Sequence, residues 1–343
     1  MKTIAMYPSV PYGWMTQRPQ QIAYHLAKLG WEVIYMNERS VAGQGLPVPP
    51  GLTLVGKDIN ALKGRKIDVT YTISPLYHSY KGLLGEKLWV YDNVDNFSQF
   101  WKDNEVKSTA IADVLITTSE PLYKKKTAER NGNGVYLIRN GVNLDYFTPD
   151  GIKECPSDIS SLESPIIGYV GAMAYWVDLK LIDYIGKALP DYNFVYVGPP
   201  FGIRHETDMK NRDNIRFLGL KAMKDIPSYI NSFDVCIIPF LKNSITESAN
   251  PLKLYEYMAL GKPVVSTYMP EVELCQKQCD VNIGMDYDDF VNKVKGFIHF
   301  KHSKRPQVIK DCAAKRIAFA RDNSWEKRAK MLSDILTERL NKV

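Results

Sequence analysis

Short runs of β-branched and other apolar residues alternate along the first half of the chain with stretches whose apolar residues recur every three or four positions. The short runs predict strands, and the longer period is typical of helices that bury one face. Ile22 and Leu26, for example, share one face of a helix that is expected to begin near Pro19 and to end at Gly30. The strands predicted in this half are residues 3–6, 33–35, 68–73, 88–91, 114–117 and 135–138.

The same alternation restarts after an irregular segment at residues 148–165, which is rich in Pro, Ser, Asp and Glu. Such a composition without either period is typical of a linker between domains. Strands are predicted beyond it at residues 166–170, 194–197, 215–218, 235–238 and 264–266, and a helical tail from about residue 308 to the end. Strands that alternate with helices predict a parallel, doubly wound sheet, so we expect two α/β halves of similar size.

Composition and charge agree with a folded protein of two domains. A single hydrophobic core rarely grows to 343 residues. Hydrophobic residues make up 45% and charged residues 24% of the chain, which argues against a disordered or fibrous protein. The formal charge of +6 comes from 44 basic and 38 acidic residues spread along the chain, so a nucleic acid partner is not expected.

The five cysteines are scattered and form no C-x-x-C pair, so neither a disulfide framework nor a structural zinc site is expected. Pro8 and Pro11 interrupt the apolar residues near the amino terminus before a signal-peptide core could form. The longest uncharged stretch, residues 165–177, is too short to cross a bilayer. We therefore expect a cytoplasmic protein that is soluble or at most attached peripherally to a membrane.

The sharpest candidate site is the segment 250–265, NPLKLYEYMALGKPVV. Asn250 is expected to cap a helix there, and Pro251 suits its first turn. Lys253 and Glu256 share another helix face. A lysine in the first turn opposes the helix macrodipole, so its position favours a bound anion such as a phosphate. Glu256 could accept two hydrogen bonds from a sugar diol, and the alternative is an ordinary surface pair of opposite charges.

Extended to residue 267, this segment resembles the nucleotide-binding signature of GT-B-fold glycosyltransferases, especially bacterial family 4 enzymes that build cell-wall polysaccharides and exopolysaccharides, teichuronic-acid types included. Further matches are spread along most of the chain: RPQQIAYHLAKLG at 18–30, YDNVDNF at 91–97, TTSEPL at 117–122, RNGVNLDYF at 139–147, GYVGAM at 168–173 and FDVCIIPF at 233–240. The resemblance implies two Rossmann-like domains that face a cleft, with the last helix crossing back.

On this basis four segments are expected. Residues 1–150 would form an acceptor-side domain, residues 151–164 a linker, and residues 165–320 a nucleotide-sugar-binding domain. Residues 321–343 would form a C-terminal helix that packs back toward the first domain.

The resemblance also implies roles for single residues. Glu256 matches the second glutamate of the family's E-x7-E signature and would hold the ribose, while Lys253 would contact the diphosphate. The first glutamate of that signature falls at Ser248, and Glu247 lies one residue too early. Many relatives carry basic residues on the loop after the first strand of the second domain. This chain has GAMAYWVDLK there, so the backbone amides of Gly171 and Ala172 are expected to carry more of the phosphate charge. The other expected donor-site residues are Asn250, Pro251, Leu254, Gly198 and Leu218.

Two aspartates, Asp92 and Asp95, follow the predicted strand 88–91, where a carboxylate can face a ligand. In an inverting transferase one of them would remove the proton from the acceptor hydroxyl. In a retaining transferase the departing phosphate would do so, and the aspartates would orient the acceptor or the sugar. The structural alternative is that one of them, Asp95 above all, caps a helix that begins near Asn96.

The loop at residues 7–17 is aromatic and proline-rich, and it lacks the G-x-G-x-x-G fingerprint of a nicotinamide-binding enzyme. Tyr12, Gly13, Trp14 and Arg18 could line an acceptor site, because aromatic rings stack on sugars and arginine binds phosphate. The alternative is a hydrophobic staple with one solvated arginine.

Three other patterns predict structure rather than chemistry. The D-x-D sequence at residues 286–288 matches a metal motif, but a helix cap is the favoured interpretation. His299 and His302 have no acidic or cysteine partner in register. The lysines at 124–126, together with Arg130, could touch anionic lipid, and a solvated helix face is the favoured alternative.

The sequence thus predicts a metal-independent glycosyltransferase that uses no cofactor. Its donor would be a UDP-sugar, with GDP as the alternative base, and its acceptor a glycan or a lipid-linked sugar in cell-surface polysaccharide synthesis. One alternative is a sugar-nucleotide epimerase of the same fold. Another is a catalytically silent subunit of a polysaccharide assembly complex, which the serine at position 248 favours.

Overall fold

The computed structural model of the chain describes residues 1–36, 45–96, 101–152, 154–202 and 212–343. Its contacts divide the chain into two compact units. The first unit contains residues 1–140, 248–250 and 325–343, and the second contains residues 141–247 and 251–324. The first unit is therefore assembled from three separate segments of sequence.

The first unit is built on a seven-stranded sheet whose neighbouring strands are all parallel. Strands β1 to β7 are Thr3–Tyr7, Glu32–Met36, Leu52–Val55, Val69–Thr72, Leu88–Asn93, Val114–Thr117 and Val135–Leu137. Their order across the sheet is β3-β2-β1-β4-β5-β6-β7. Helices α1 to α3 are Arg18–Lys28, Lys102–Ile111 and Glu120–Glu129. Strands β1, β4, β5 and β6 are buried along their whole length, as expected of a parallel sheet covered on both faces.

Helix α1 follows the sequence pattern that predicted it. Pro19 lies in its first turn, where a missing backbone N–H costs nothing. Ile22 and Leu26 are fully buried, and they fix the face that the helix turns to the core. Gly30 has a φ of +86°, a conformation that glycine adopts without strain and that ends the helix.

The second unit contains a six-stranded parallel sheet and a separate two-stranded one. Strands β8 to β15 are Ile166–Val170, Met173–Ala174, Asn193–Val197, Pro200–Phe201, Ile215–Gly219, Val235–Ile238, Val264–Thr267 and Val281–Gly284. The larger sheet has the order β12-β10-β8-β13-β14-β15, and β9 pairs with β11. Helices α4 to α9 are Leu179–Ala188, Ile226–Ser232, Leu252–Ala259, Pro270–Cys279, Tyr287–Ser303 and Pro306–Asp322. Chain order reverses between β8 and β13, which is where ligands of such sheets usually bind.

The last helix, α10 (Trp325–Leu340), belongs to the first unit. The Trp31 indole Nε1 donates a hydrogen bond to Ser333 Oγ at 2.9 Å, and Lys2 Nζ donates to Thr337 Oγ1 at 2.6 Å. The helical tail predicted from about residue 308 consists of two helices, α9 and α10, which are separated at residues 323–324. The break separates a helix of the second unit from a helix of the first.

The prediction of two α/β parts with parallel sheets is confirmed, and each predicted strand overlaps an observed one. The sequence pattern missed β3 and β15, which are short and flanked by loop-forming residues, and the two-residue strands β9 and β11. In the described residues, no helix combines the length and the apolar character needed to cross a membrane.

Candidate functional site

Two glycines let the loops after β8 and β10 approach each other closely. Gly171 and Gly198 have φ values of +146° and +149°, which side chains rarely tolerate. The Gly171 N–H donates to the Val197 carbonyl at 2.8 Å. A Cβ atom on Gly198 would lie 2.0 Å from the Gly171 carbonyl oxygen, and one on Gly171 would lie 3.1 Å from Lys253 Nζ. Gly171 therefore leaves space for the lysine side chain, and Gly198 leaves space for the backbone of the loop after β8.

Helix α6 holds Lys253 and Glu256 at this place. Its buried face carries Leu254 and Met258, which pack into the core of the second unit. The Val170 N–H at the end of β8 donates to the Tyr257 hydroxyl at 2.8 Å, which ties the helix to the central strand of the sheet. Lys253 and Glu256 lie on the partly exposed side of the helix, one turn apart.

Lys253 lies among aromatic rings. Its Nζ is 4.8 Å from the ring centroid of Phe240 and 5.1 Å from that of Tyr169, within the range of cation–π attraction. Burial lowers the pKa of Lys253 to about 8, against the raising effect of Glu256. Burial raises the pKa of Glu256 to about 7, and Lys253 opposes that rise. The site thus pairs an ammonium group suited to an anion with a carboxylate that can accept hydrogen bonds from hydroxyls.

The prediction that Asn250 caps α6 is wrong. Pro251 occupies the N-cap position, and no side chain caps the helix there. Asn250 instead pairs with Asn140 within the first unit: the Asn140 N–H donates to Asn250 Oδ1 at 2.8 Å, and Asn140 Nδ2 donates to the Asn250 carbonyl at 2.6 Å. Asn140 thus engages both the side-chain oxygen and the carbonyl oxygen of Asn250. In the short 3₁₀ turn before it, Ser248 is buried and Glu247 is exposed.

In the first unit, Asp92 forms a buried ion pair rather than an open carboxylate. It lies near the end of β5 and is fully buried, and Arg18 Nε is 2.6 Å from its Oδ2. The Tyr71 hydroxyl also donates to Oδ2, while Oδ1 has no hydrogen-bond partner among the described residues. Burial lowers the pKa of Arg18, but Asp92 and Tyr71 outweigh it and raise the pKa above its usual range.

Arg18 makes further contacts that keep it inside the first unit. Its Nη1 donates to Asn140 Oδ1 at 3.1 Å, and its guanidinium carbon lies 5.8 Å from the ring of Trp325. The alternative of a solvated arginine is therefore wrong, since only 4% of Arg18 is exposed. Because Asn140 also holds Asn250, one hydrogen-bonded chain runs from Asp92 to the residue before Pro251.

The loop at residues 7–17 divides its aromatic residues between core and surface. Tyr12 is buried: its hydroxyl donates to the Pro47 carbonyl at 3.0 Å, and its ring packs edge-on against Tyr35. Gly13 and Trp14 are partly exposed.

Asp95, the second predicted catalytic aspartate, is exposed. The helix that it was expected to cap would begin near Asn96, next to residues 97–100, which fall outside the described part of the chain.

Comparison with known proteins finds similarities that lie mainly in the second unit. Residues 164–299 match the family described as glycosyl transferases group 1. TuaH of Bacillus subtilis (strain 168), named a teichuronic acid biosynthesis glycosyltransferase, is 30% identical over 184 residues. That alignment covers 51% of this chain and 45% of TuaH, so the chain matches about half the length of this curated relative.

This segment is similar to group 1 glycosyltransferases.

Solved structures of glycosyltransferases share the fold of the whole chain. A sucrose-phosphate synthase from Thermosynechococcus elongatus superposes with a TM-score of 0.78 at 15% identity, covering 100% of both chains. HepE of Anabaena, solved with UDP and glucose, superposes with a TM-score of 0.72 at 16% identity, covering 98% of this chain and 99% of that one. The predicted GT-B fold is confirmed by these likenesses.

The predicted donor residues come from three loops, one strand and one helix. Lys253, Gly171 and Gly198 meet where the loops after β8 and β10 reach α6. Leu218 lies partly exposed in β12, the strand beside β10. The remaining predicted residues Ala172, Pro251 and Leu254 are buried beside the lysine or behind it. Their roles in binding a donor stay predictions.

Sequence reasoning missed the aromatic residues that surround Lys253. Tyr169 and Phe240 lie at or just beyond the ends of buried strands, where their rings look like ordinary core positions. A signal was available for Phe240, because it comes directly after Pro239 at the carboxyl end of β13, the edge at which such sheets bind ligands.

The other predicted patterns turn out as follows. Asp286 caps α8, since its side chain accepts a hydrogen bond from the Asp289 N–H, so the cap interpretation is confirmed. His299 and His302 are exposed. The solvated helix face predicted at residues 124–126 is wrong for Lys126, which is buried and pairs with Glu105 at 2.5 Å.

Proposed function

We propose that this chain is a glycosyltransferase that moves a sugar from a nucleoside diphosphate sugar to a glycan or a lipid-linked acceptor in cell-surface polysaccharide synthesis. The observation that carries the proposal is the Lys253–Glu256 pair beside Gly171, in a segment that is similar to group 1 glycosyltransferases. The donor is a UDP-sugar, with GDP as the alternative, in line with HepE, which was solved with UDP-glucose. The acceptor class follows TuaH, which is named for teichuronic acid biosynthesis.

Each group of the donor has a partner in this proposal. The Lys253 ammonium, at the first turn of α6, balances the charge of the diphosphate as it leaves. The Gly171 N–H is engaged by the Val197 carbonyl, so of the two loop amides expected to bind phosphate only that of Ala172 is used in this proposal. Glu256 accepts hydrogen bonds from the ribose hydroxyls. Because the protein itself supplies this positive charge, transfer is expected to proceed without a metal ion. We place the reaction in the cytoplasm or at the inner face of the membrane.

Donor binding tests the proposal most directly. Purified protein is titrated with UDP-, GDP- and dTDP-sugars, and both the thermal shift and the dissociation constant are measured. A UDP-sugar is expected to stabilise the protein, and Lys253→Ala and Glu256→Ala should each weaken its binding at least roughly tenfold. Matched controls are Lys224→Ala and Glu273→Ala, which remove exposed charges elsewhere on the second unit. If neither site variant differs from its control, the donor-site assignment fails.

Product analysis separates the remaining alternatives. An epimerase would convert the nucleotide sugar into its epimer, up to equilibrium, in a reaction that contains only protein and donor. A silent subunit would show no shift with any nucleotide sugar in the panel. A transferase is expected to bind the donor and to release nucleoside diphosphate only when an acceptor glycan is added.

A further inference from the structure

The second unit contains an open cavity of about 610 Å³ whose lining includes neither Lys253 nor Glu256. It lies beyond the carboxyl ends of β13, β14 and β15, where Phe240, Thr267 and Gly284 face it. The first residues of α4 and α8 complete its wall. Its volume falls in the range of about 300–1,000 Å³ that small-molecule sites occupy.

Tyrosines and aspartates line this cavity, and they hold one another in place. The Tyr287 hydroxyl donates to Asp178 at 2.9 Å, and the Tyr184 hydroxyl donates to Asp288. The two tyrosine rings contact each other, with their centroids 5.4 Å apart. Asp178 also caps α4 through the Leu181 N–H, so its carboxylate is fixed from two sides. The walls are therefore arranged in advance of any ligand, as a binding site requires.

The charge of the lining disfavours an anion. Three carboxylates, those of Asp178, Asp286 and Asp288, face a single lysine, Lys242. The Lys242 ammonium donates a hydrogen bond to the Met285 carbonyl, so one of its three N–H donors is already used within the protein. A phosphate or a uronate would therefore meet more negative than positive charge in this cavity.

A metal ion is also disfavoured by the geometry. Across the described ranges, no group of three or more His, Cys, Asp or Glu residues is placed to hold a metal. Each of the three aspartates instead accepts a hydrogen bond from a tyrosine hydroxyl or from a backbone N–H. Each carboxylate offers about four lone-pair sites, so acceptor capacity remains for the hydroxyl groups of a ligand.

We infer that this cavity binds an uncharged sugar unit. The carboxylates and the tyrosine oxygens supply acceptors for sugar hydroxyls, and the faces of Tyr184 and Tyr287 supply flat apolar surfaces for the sugar ring. The inference goes beyond the proposed donor site, because it uses different residues. Phe240 both lines the cavity and lies next to Lys253, with its ring centroid 4.8 Å from Lys253 Nζ.

Ligand-observed NMR and titration calorimetry test this inference with glucose, N-acetylglucosamine and cellobiose as neutral probes. Glucuronic acid and glucosamine serve as the anionic and cationic comparisons. At least one neutral probe is expected to bind in the presence of saturating UDP, and glucuronic acid is expected to bind more weakly than glucose. Tyr184→Ala and Asp288→Asn should each weaken the binding of the neutral probe roughly tenfold.

Matched variants make the outcome decisive. Tyr175→Ala and Asp191→Asn remove an exposed tyrosine and an exposed aspartate of the second unit that do not line the cavity, and neither should change the binding of the probe. Glu256→Ala should leave saccharide binding intact while it weakens nucleotide binding. The inference fails if no neutral probe binds, if only glucosamine binds, or if Glu256→Ala rather than Tyr184→Ala abolishes saccharide binding. Failure of the donor titration alone would leave it standing.

Discussion

At the residue scale, the geometry around Lys253 depends on two glycines. Gly198 touches the backbone of the loop after β8, and Gly171 touches the lysine side chain. Both have positive φ values, so any other residue would bring strain as well as a clash. A change at Gly198 acts through the backbone, which cannot move aside as a flexible side chain can.

Gly198→Ala is accordingly expected to lower the free energy of unfolding by about 1–3 kcal/mol or more, because its Cβ would lie 2.0 Å from the Gly171 carbonyl oxygen. The control is Gly296→Ala, in the middle of α8, where an added Cβ has no heavy atom within 4 Å. That change should raise stability by about 0.5–1 kcal/mol, because alanine favours the helix. Urea unfolding measures both, and equal effects of the same sign would contradict the prediction.

If Lys253 and Glu256 bind the donor as proposed, their pKa values predict a pH optimum for nucleotide-sugar binding. Lys253, with a pKa lowered to about 8, loses its charge as pH rises through that value. Glu256, with a pKa raised to about 7, loses its charge as pH falls through that value. Affinity for a UDP-sugar should therefore be highest between the two values and fall on both sides.

Two conservative variants test the two sides of this optimum. For each variant, titration calorimetry measures the affinity for a UDP-sugar at one pH unit below and one pH unit above the pKa of the residue that is replaced. Lys253→Arg should flatten the alkaline fall, since a guanidinium stays protonated there. Glu256→Gln should flatten the acid fall, since an amide does not titrate. A profile that neither variant alters would mean that other groups set the pH dependence.

At the scale of elements, one hydrogen-bonded cluster joins a helix and two strands of the first unit. Arg18 begins α1, Asp92 lies near the end of β5, and Tyr71 lies in β4. The order of the sheet places β4 beside β5, which brings Tyr71 next to Asp92. A buried charge of this kind persists because its partner is also buried, and removal of one partner leaves the other uncompensated.

Asp92→Asn is expected to lower the free energy of unfolding by about 3–5 kcal/mol, because Arg18 would remain buried without its counter-charge. Asp334→Asn, which breaks an exposed pair with Lys330, should cost no more than about 1 kcal/mol. Urea unfolding checks both. If Asp92 were instead a general base, Asp92→Asn would keep the unfolding midpoint of the unchanged protein and would lose turnover.

At the scale of the whole molecule, the chain supplies the first unit from both of its ends. Residues 325–343 join residues 1–140, and α10 buries Trp325, Leu332 and Leu336 within that unit. The core of the second unit is continuous through most of residues 141–324. The stability of the first unit is therefore sensitive to changes that lie far from its sheet in sequence.

Leu336→Ala should lower the free energy of unfolding of the first unit by about 2–5 kcal/mol, because the side chain is fully buried and its removal leaves a cavity. Lys330→Ala on the same helix removes an exposed side chain and should change it by less than about 0.5 kcal/mol. Calorimetry checks the two variants, and hydrogen exchange in α1 shows which unit responds. Protection that is lost only in the second unit would contradict the assignment of α10.

Local sequence patterns predicted much of the fold and part of the candidate site. The strand and helix periods predicted both parallel sheets, and the spacing of Lys253 and Glu256 placed them on one helix face. The same reasoning assigned Asn250 to a helix cap, although its partner is Asn140, 110 residues away. Neighbouring residues alone cannot reveal such a partner, since many side chains compete for each polar group.

The sequence by itself determined which faces of each element are apolar, because burial follows a period of two or of three to four residues. It therefore determined the fold class and the helix that carries Lys253. Only the tertiary structure decided which side chains meet: it paired Arg18 with Asp92 across 74 residues and placed the Phe240 ring next to the Lys253 ammonium. The physical reason is that partners across a sheet depend on strand order, which the period of a single element does not encode.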